Sequence, residues 1–259
     1  MQLRDKHIIV TGAASGIGAA LARRFAAEGA RVVAADLAAT RAALEAVARD
    51  IGGLAVACDV ANEADIKALV AAAKARFGAV DVFFSNAGIS RSGHEEAPDA
   101  DWDASWRIHV MAHVYASRAV LPEMLARGSG YLVSTASAAG LLASVGSAPY
   151  AVTKHAAVAL AEHLAIQYGD RGIRVSVLCP QAVDTPLYRT PGVKAAGLDG
   201  VASPEAVADW VVQAMAAETF LILPHAEVTG YMQRKASDPD RWLAGMRRLL
   251  AKVKSGVVT

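Results

Sequence analysis

The chain has 259 residues, 54% of them hydrophobic and 20% charged, and its 26 Lys and Arg against 25 Asp and Glu leave a formal net charge of +1. That length suits one α/β domain with an extensive core, and the composition excludes a disordered chain. Scattered, balanced charge gives no footprint for nucleic acid or an anionic membrane surface, and two cysteines, Cys58 and Cys179, can build neither a disulfide framework nor a four-cysteine zinc site.

Residues 1–6 lead directly into a short apolar run, too brief for a signal peptide or a membrane span, so a reducing, cytoplasmic setting is expected. From there, apolar runs alternate with alanine-rich helical stretches, and strands are predicted at about 7–11, 31–35, 54–58, 80–84, 131–135, 173–178 and 220–223. The first run, Ile8-Ile9-Val10, is apolar without alternation, the pattern of a strand buried on both faces of a parallel sheet. Seven such units predict a single doubly wound parallel α/β sheet with helices on both faces. Ligands should then bind at the carboxyl edge, where the strand order reverses. A stretch rich in Gly and Pro at about 187–203 is expected to be a substrate lid, and a C-terminal helix is expected at about 240–253.

Directly after the first strand comes Thr11-Gly12-Ala13-Ala14-Ser15-Gly16-Ile17-Gly18 and then a helix. Glycines let the backbone turn tightly and approach a diphosphate closely, and the helix start beyond them offers unpaired N–H groups and a partial positive charge. Asp36 follows at the end of the second strand, where a carboxylate can accept hydrogen bonds from both adenosine ribose hydroxyls and repel a 2′-phosphate, which favours NAD over NADP. Neither Ser15 nor Leu37 supplies the cation that such a phosphate would need, and Arg41 reads as a solvated helix residue. Asp59, after the third strand, either accepts from the adenine amino group or caps the next helix, a cap for which Asn62 competes.

Tyr150 and Lys154 stand four residues apart on a predicted helix and therefore share one face. A tyrosine with an ordinary pKa of about 10 needs nearby positive charge to act as an acid/base at neutral pH, and Lys154 can supply it. Ser137, presented after the fifth strand, can hydrogen-bond the reacting oxygen of a substrate. His94, Glu95 and Glu96 are adjacent rather than spaced to converge on one ion, so no metal site is expected. Trp102 and Trp106 read as core or interface rather than a sugar platform.

With these motifs in order, the sequence resembles the short-chain dehydrogenase/reductase family over nearly its whole length. The glycine turn, Asn86-Ala87-Gly88 after the fourth strand, and the trio Ser137, Tyr150 and Lys154 carry the resemblance. It implies a Rossmann-type fold and an oxidoreductase moving hydride between NAD(H) and a secondary alcohol or ketone. It further implies a small-molecule substrate and a homodimer or homotetramer. By resemblance, Tyr150 is the acid/base, Lys154 also binds the nicotinamide ribose, Ser137 orients the substrate and Thr185 contacts the carboxamide. The cofactor set is Gly12, Ser15, Gly16, Ile17, Gly18, Asp36, Leu37, Asp59, Val60, Asn86, Ala87, Gly88, Tyr150, Lys154, Pro180, Val183 and Thr185.

Three departures stand out. His109 occupies the position where the family commonly has an asparagine holding a proton-relay water, so it either bonds a water or carbonyl there or is a buried structural histidine. Gln181 replaces the glycine that usually follows Pro180, and it is expected to line the pocket with Ser137, Tyr150 and Leu187. Pro224-His225 stands where a glycine-rich ending is usual. Leu141, Leu142, Val145 and Leu187 border the expected site, which points to an apolar substrate. A dehydratase or epimerase, or a non-catalytic NAD-binding sensor or scaffold, is the alternative that the same fold allows.

Overall fold

Apolar residues stepping alternately to the two sides of each strand set the layering. A computed structural model describes residues 1–189 and 199–255. In it, Ile8 and Val10 of the first strand face one core and Ile9 faces the other. The strands are β1 (His7–Thr11), β2 (Arg31–Asp36), β3 (Leu54–Ala57), β4 (Val82–Ser85), β5 (Gly130–Thr135), β6 (Ile173–Leu178) and β7 (Leu221–Ile222). They form one all-parallel sheet in the order β3-β2-β1-β4-β5-β6-β7. The order reverses between β1 and β4, and the crevice that opens there positions the site.

Helices α1 (Gly16–Ala27), α2 (Arg41–Asp50) and α7 (Pro204–Ala216) bury Leu21, Phe25, Leu44, Val207 and Met215 against one face. Helices α3 (Glu63–Phe77), α5 (Ala112–Arg127) and α6 (Ala148–Tyr168) bury Ile66, Leu69, Val120, Met124 and Val158 against the other. Each such side chain contributes about 1.5–3 kcal/mol by leaving water. The remaining α-helices among the described residues are α4 (Asp99–Trp106), α8 (Glu227–Ser237) and α9 (Pro239–Lys254).

Strands β2, β3 and β5 shift by a single residue at one end, and two strands differ more from their expected bounds. β4 starts at Val82 rather than 80, because Asp81 is held by its own bonds to β1: its N–H donates to the His7 carbonyl and its carboxylate accepts from the His7 N–H, both at 2.9 Å. β7 is cut to two residues at the sheet edge, where Pro224 lacks an N–H to extend the ladder. Of the expected lid, residues 190–198 lie outside the described residues. Beyond them, Ala202 bridges to Val183.

Candidate active site

One cleft of about 890 Å³ opens along the carboxyl edge of the sheet. Its floor is the glycine turn. Gly12 has a φ of +66°, and a Cβ there would lie 2.8 Å from the Ala87 Cα. A Cβ on Gly18 would lie 2.1 Å from the Gly12 carbonyl oxygen, so backbone meets backbone at this point. Ser15 caps α1 in extended conformation without a side-chain hydrogen bond to the helix, and the first turn contains no acidic residue. The α1 start thus keeps its partial positive charge without a protein anion against it, which fits a diphosphate. The Asp36 carboxylate is aimed by backbone, accepting from Ala14 N–H at 2.9 Å and Leu37 N–H at 2.7 Å. Arg41 is turned to Glu45 at 2.8 Å and is not among the residues of the cleft wall.

Of the two readings of Asp59, the structure assigns the α3 cap to Asn62, whose side chain accepts from Ala64 N–H at 2.9 Å. Asp59 itself lies in the cleft wall and accepts from Ala61 N–H. Asn86 is a tie between strands. It donates to the Thr11 carbonyl at 3.0 Å and accepts from the Thr135 hydroxyl at 3.0 Å, while the Thr11 hydroxyl accepts from the N–H groups of Asn86 and Ala87. Strands β1, β4 and β5 are thereby locked together beneath the cleft.

The reactive-looking trio meets above this floor. Ser147 caps α6, accepting from Tyr150 N–H at 3.1 Å and donating to the Arg91 carbonyl, so Tyr150 sits in the first helical turn. One turn on, Lys154 is buried, with its ammonium donating to the Thr135 carbonyl at 2.9 Å and lying 5.6 Å from the Tyr150 ring centre. Burial pushes the Lys154 ammonium down to about 8. Burial also pushes the Tyr150 phenol up, while a hydrogen-bond interaction with Ser137 pulls the other way. Ser137 ends the loop after β5 in extended conformation and accepts from Ala139 N–H at 3.1 Å. Cys179, the buried neighbour, is pushed up to about 12 by burial and stays a thiol.

A family model for short chain dehydrogenases matches residues 6–192. The chain belongs to the short-chain dehydrogenase/reductase family. It is 37% identical to a 1-deoxy-11-beta-hydroxypentalenate dehydrogenase of Streptomyces exfoliatus, over 88% of this chain and 86% of that one. It is 41% identical to a 2-(R)-hydroxypropyl-CoM dehydrogenase of Xanthobacter autotrophicus, over 69% of this chain and 75% of that one. A short-chain dehydrogenase/reductase from Burkholderia phymatum, solved in complex with NAD, superposes with a TM-score of 0.84 at 29% identity, covering 93% of this chain and 96% of its own.

In this short-chain dehydrogenase/reductase, all the expected site residues but two line the cleft, from Gly12 to Leu187. Gly18 lies beneath the turn. His109 lies behind the cleft, fully buried in a π-helical turn (Arg107–Met111) between α4 and α5. Its Nε2 accepts from Ile89 N–H at 3.2 Å, and its Nδ1 is 2.8 Å from the Thr153 hydroxyl, which donates to the Pro149 carbonyl at 2.7 Å. A neutral ring with Nδ1–H satisfies that chain, and burial, with Lys154 and His113 adding to it, holds His109 well below the usual histidine range. The ring stands edge-on to Tyr150, with centres 5.4 Å apart.

Leu141 is half-buried against the core, and its segment lines the cleft through Leu142 to Ser147, while Trp106 is exposed, which leaves the interface of its two readings and not the core. The sequence reading also missed part of the wall. Tyr231 of α8 and Trp242, Gly245, Met246 and Leu249 of α9 close the side of the cleft away from the glycine turn. Their only signal was the amphipathic spacing of the last helix, which says that a face is covered but not by what. His225, noted only as a departure, holds the Gln181 turn: its Nδ1 accepts from Gln181 N–H at 3.2 Å, and its Nε2 lies 3.1 Å from the Ala182 carbonyl.

Proposed function

We propose that this short-chain dehydrogenase/reductase transfers hydride between NAD(H) and a secondary alcohol or ketone, with Tyr150 as acid/base, Lys154 as the cation behind it and Ser137 as hydrogen-bond partner of the reacting oxygen. The observation that carries the reading is the meeting of these three side chains in the same cleft as the uncapped start of α1 and the carboxylate of Asp36. When bound, the oxidised nicotinamide supplies the hydride acceptor and a further positive charge. Asp36, with no cation of the wall beside it to attract a 2′-phosphate at Ser15 or Leu37, supports NAD rather than NADP, and the Burkholderia neighbour was solved with NAD.

The chain's own groups set the direction of the pH dependence. Burial favours the neutral phenol of Tyr150, which can give a proton to a forming alkoxide. Ketone reduction should therefore hold at neutral pH and fall as pH rises, while alcohol oxidation, which needs the phenolate, should rise. Tyr150→Phe removes one oxygen, keeps the ring packing, and should abolish both directions while NADH still binds. Initial rates and NADH fluorescence titration test this, and substantial turnover by the variant would refute the acid/base role.

Leu142, Val145, Leu187, Met246 and Leu249 make the far wall largely apolar, so affinity should grow by about 25 cal/mol per Å² of carbon surface buried. Cyclic, aromatic or medium-chain ketones should exceed sugars in kcat/KM. Exposed Trp106, Val152 and Ile166 support a homo-oligomer, which sedimentation as a monomer would contradict. No helix among the described residues is long and apolar enough to cross a membrane, and two free buried thiols support a reducing, cytoplasmic location.

A further inference from the structure

The apolar far wall contains one polar patch that the acid/base chemistry does not use. Gln181 donates through Nε2 to the Asp199 carboxylate at 3.1 Å, and the Tyr231 hydroxyl donates to the same carboxylate at 2.9 and 3.0 Å. This pairing fixes the Gln181 amide, since a flip would set its oxygen against a carboxylate. Among the described residues the Gln181 Oε1 is left as a buried acceptor with no hydrogen-bond partner, and on the same wall the Trp242 Nε1–H is a buried donor with none. Tyr231 links the two, its ring centre 6.2 Å from that of Trp242. A buried acceptor and a buried donor without partners are costly unless a ligand completes them.

We propose that Gln181 and Trp242, positioned by Asp199 and Tyr231, form a second recognition point that takes a neutral hydroxyl remote from the reacting carbon, so that the preferred substrate is an otherwise apolar ketone or alcohol with one further hydroxyl. A hydroxyl, donor and acceptor at one atom, can donate to Gln181 Oε1 and accept from Trp242 Nε1–H. The Asp199 carboxylate, held in place by two donors, repels an anionic group at the same spot. Trp242 packs with Leu142 and Ala138, beside Ser137, so the anchor and the reacting end belong to one pocket. This substrate class rests on the oxidoreductase reading above, whereas the anchor itself is a binding site.

The test compares hydroxycyclohexanones with their methyl counterparts and with an oxocyclohexane carboxylate, measuring both kcat/KM and calorimetric Kd on NADH-loaded protein. The hydroxyl should be preferred over methyl by about tenfold, the worth of one or two added hydrogen bonds, and the carboxylate should be the poorest ligand. Gln181→Met and Trp242→Phe should bring the hydroxyl-to-methyl ratio toward one, and Asp199→Asn should relax the exclusion of the carboxylate. A ratio of one in the unaltered protein, or a ratio unmoved by Gln181→Met, would overturn the proposal. A Kd preference without turnover of any ketone would support the anchor and sink the oxidoreductase reading, and turnover without preference would do the reverse.

Discussion

At the scale of single residues, the same side chain often does two things, and the structure says which substitutions separate them. Asp36 stands where ribose hydroxyls are expected, but it also accepts from Ala14 N–H within the glycine turn. NAD should be preferred to NADP by at least about tenfold in kcat/KM, roughly 1.4 kcal/mol of transition-state binding. Asp36→Ala should weaken NAD more than NADP, while weakening both somewhat because the turn loses an anchor. Equal use of the two cofactors by the unaltered protein would remove Asp36 from this role. His109 poses the opposite case, since its ring is neutral, buried and bonded on both nitrogens. Asn offers one acceptor and one donor, although on a shorter stem, so His109→Asn should retain substantial activity. His109→Leu leaves Ile89 N–H without its partner and should cost about 1–3 kcal/mol in denaturant unfolding. If His109→Asn is as inactive as Tyr150→Phe, the ring has a chemical task beyond positioning.

At the scale of elements, identical residue types carry opposite consequences. Gly18 opens α1 against the backbone of its own turn, where a Cβ would meet the Gly12 carbonyl oxygen at 2.1 Å and the Asn86 amide at 2.7 Å. Gly18→Ala should therefore displace the turn and reduce NADH affinity by an order of magnitude or more, read by fluorescence titration. Gly230, inside α8, has nothing within 4 Å of its would-be Cβ. Gly230→Ala should leave the fold intact and add about 0.5–1 kcal/mol of stability through helix propensity alone. A loss of stability in Gly230→Ala, or a Gly18→Ala variant that binds NADH as tightly as the unaltered protein, would contradict this contrast. The π-helical turn at Arg107–Met111 is a further element-scale device, because the extra residue turns His109 inward toward Thr153 and Ile89.

At the scale of the whole molecule, buried histidines tie the fold to pH. His113 lies one helical turn beyond His109, with neither ring nitrogen hydrogen-bonded among the described residues, and burial, with Lys154 adding to it, pushes it down to about 3. His7, at the start of β1, is also lowered by burial. In the unfolded chain these rings take up protons near the ordinary value of about 6.5, while in the folded protein burial opposes the charge and keeps His113 neutral down to about 3. The unfolded state therefore binds more protons below that pH. The stability that His113 contributes is fully present above about 6.5 and is lost as pH falls toward 3, by a few kcal/mol. Melting temperature measured by calorimetry from pH 8 to pH 4 should fall on the acid side. His113→Leu should flatten that slope, and an unchanged slope would place the acid sensitivity elsewhere.

What the sequence by itself determined were features whose physics is local. Strand β1 and its glycine turn follow from an apolar run and from backbone freedom. The pairing of Tyr150 with Lys154 follows from helical periodicity, and the parallel sheet follows from strands apolar on both faces. These properties depend on residues a few positions apart. Only the tertiary structure decided the contacts between distant segments. It chose the tie of Asn86 to Thr11 and Thr135, the capture of His109 by Thr153 and Ile89, and the wall that Tyr231 and Trp242 build beside Ser137. Periodicity tells which face of α9 is apolar, but what that face covers depends on where the sheet edge, α8 and the Gln181 turn bring their own groups. A sequence read along one dimension holds no such distances.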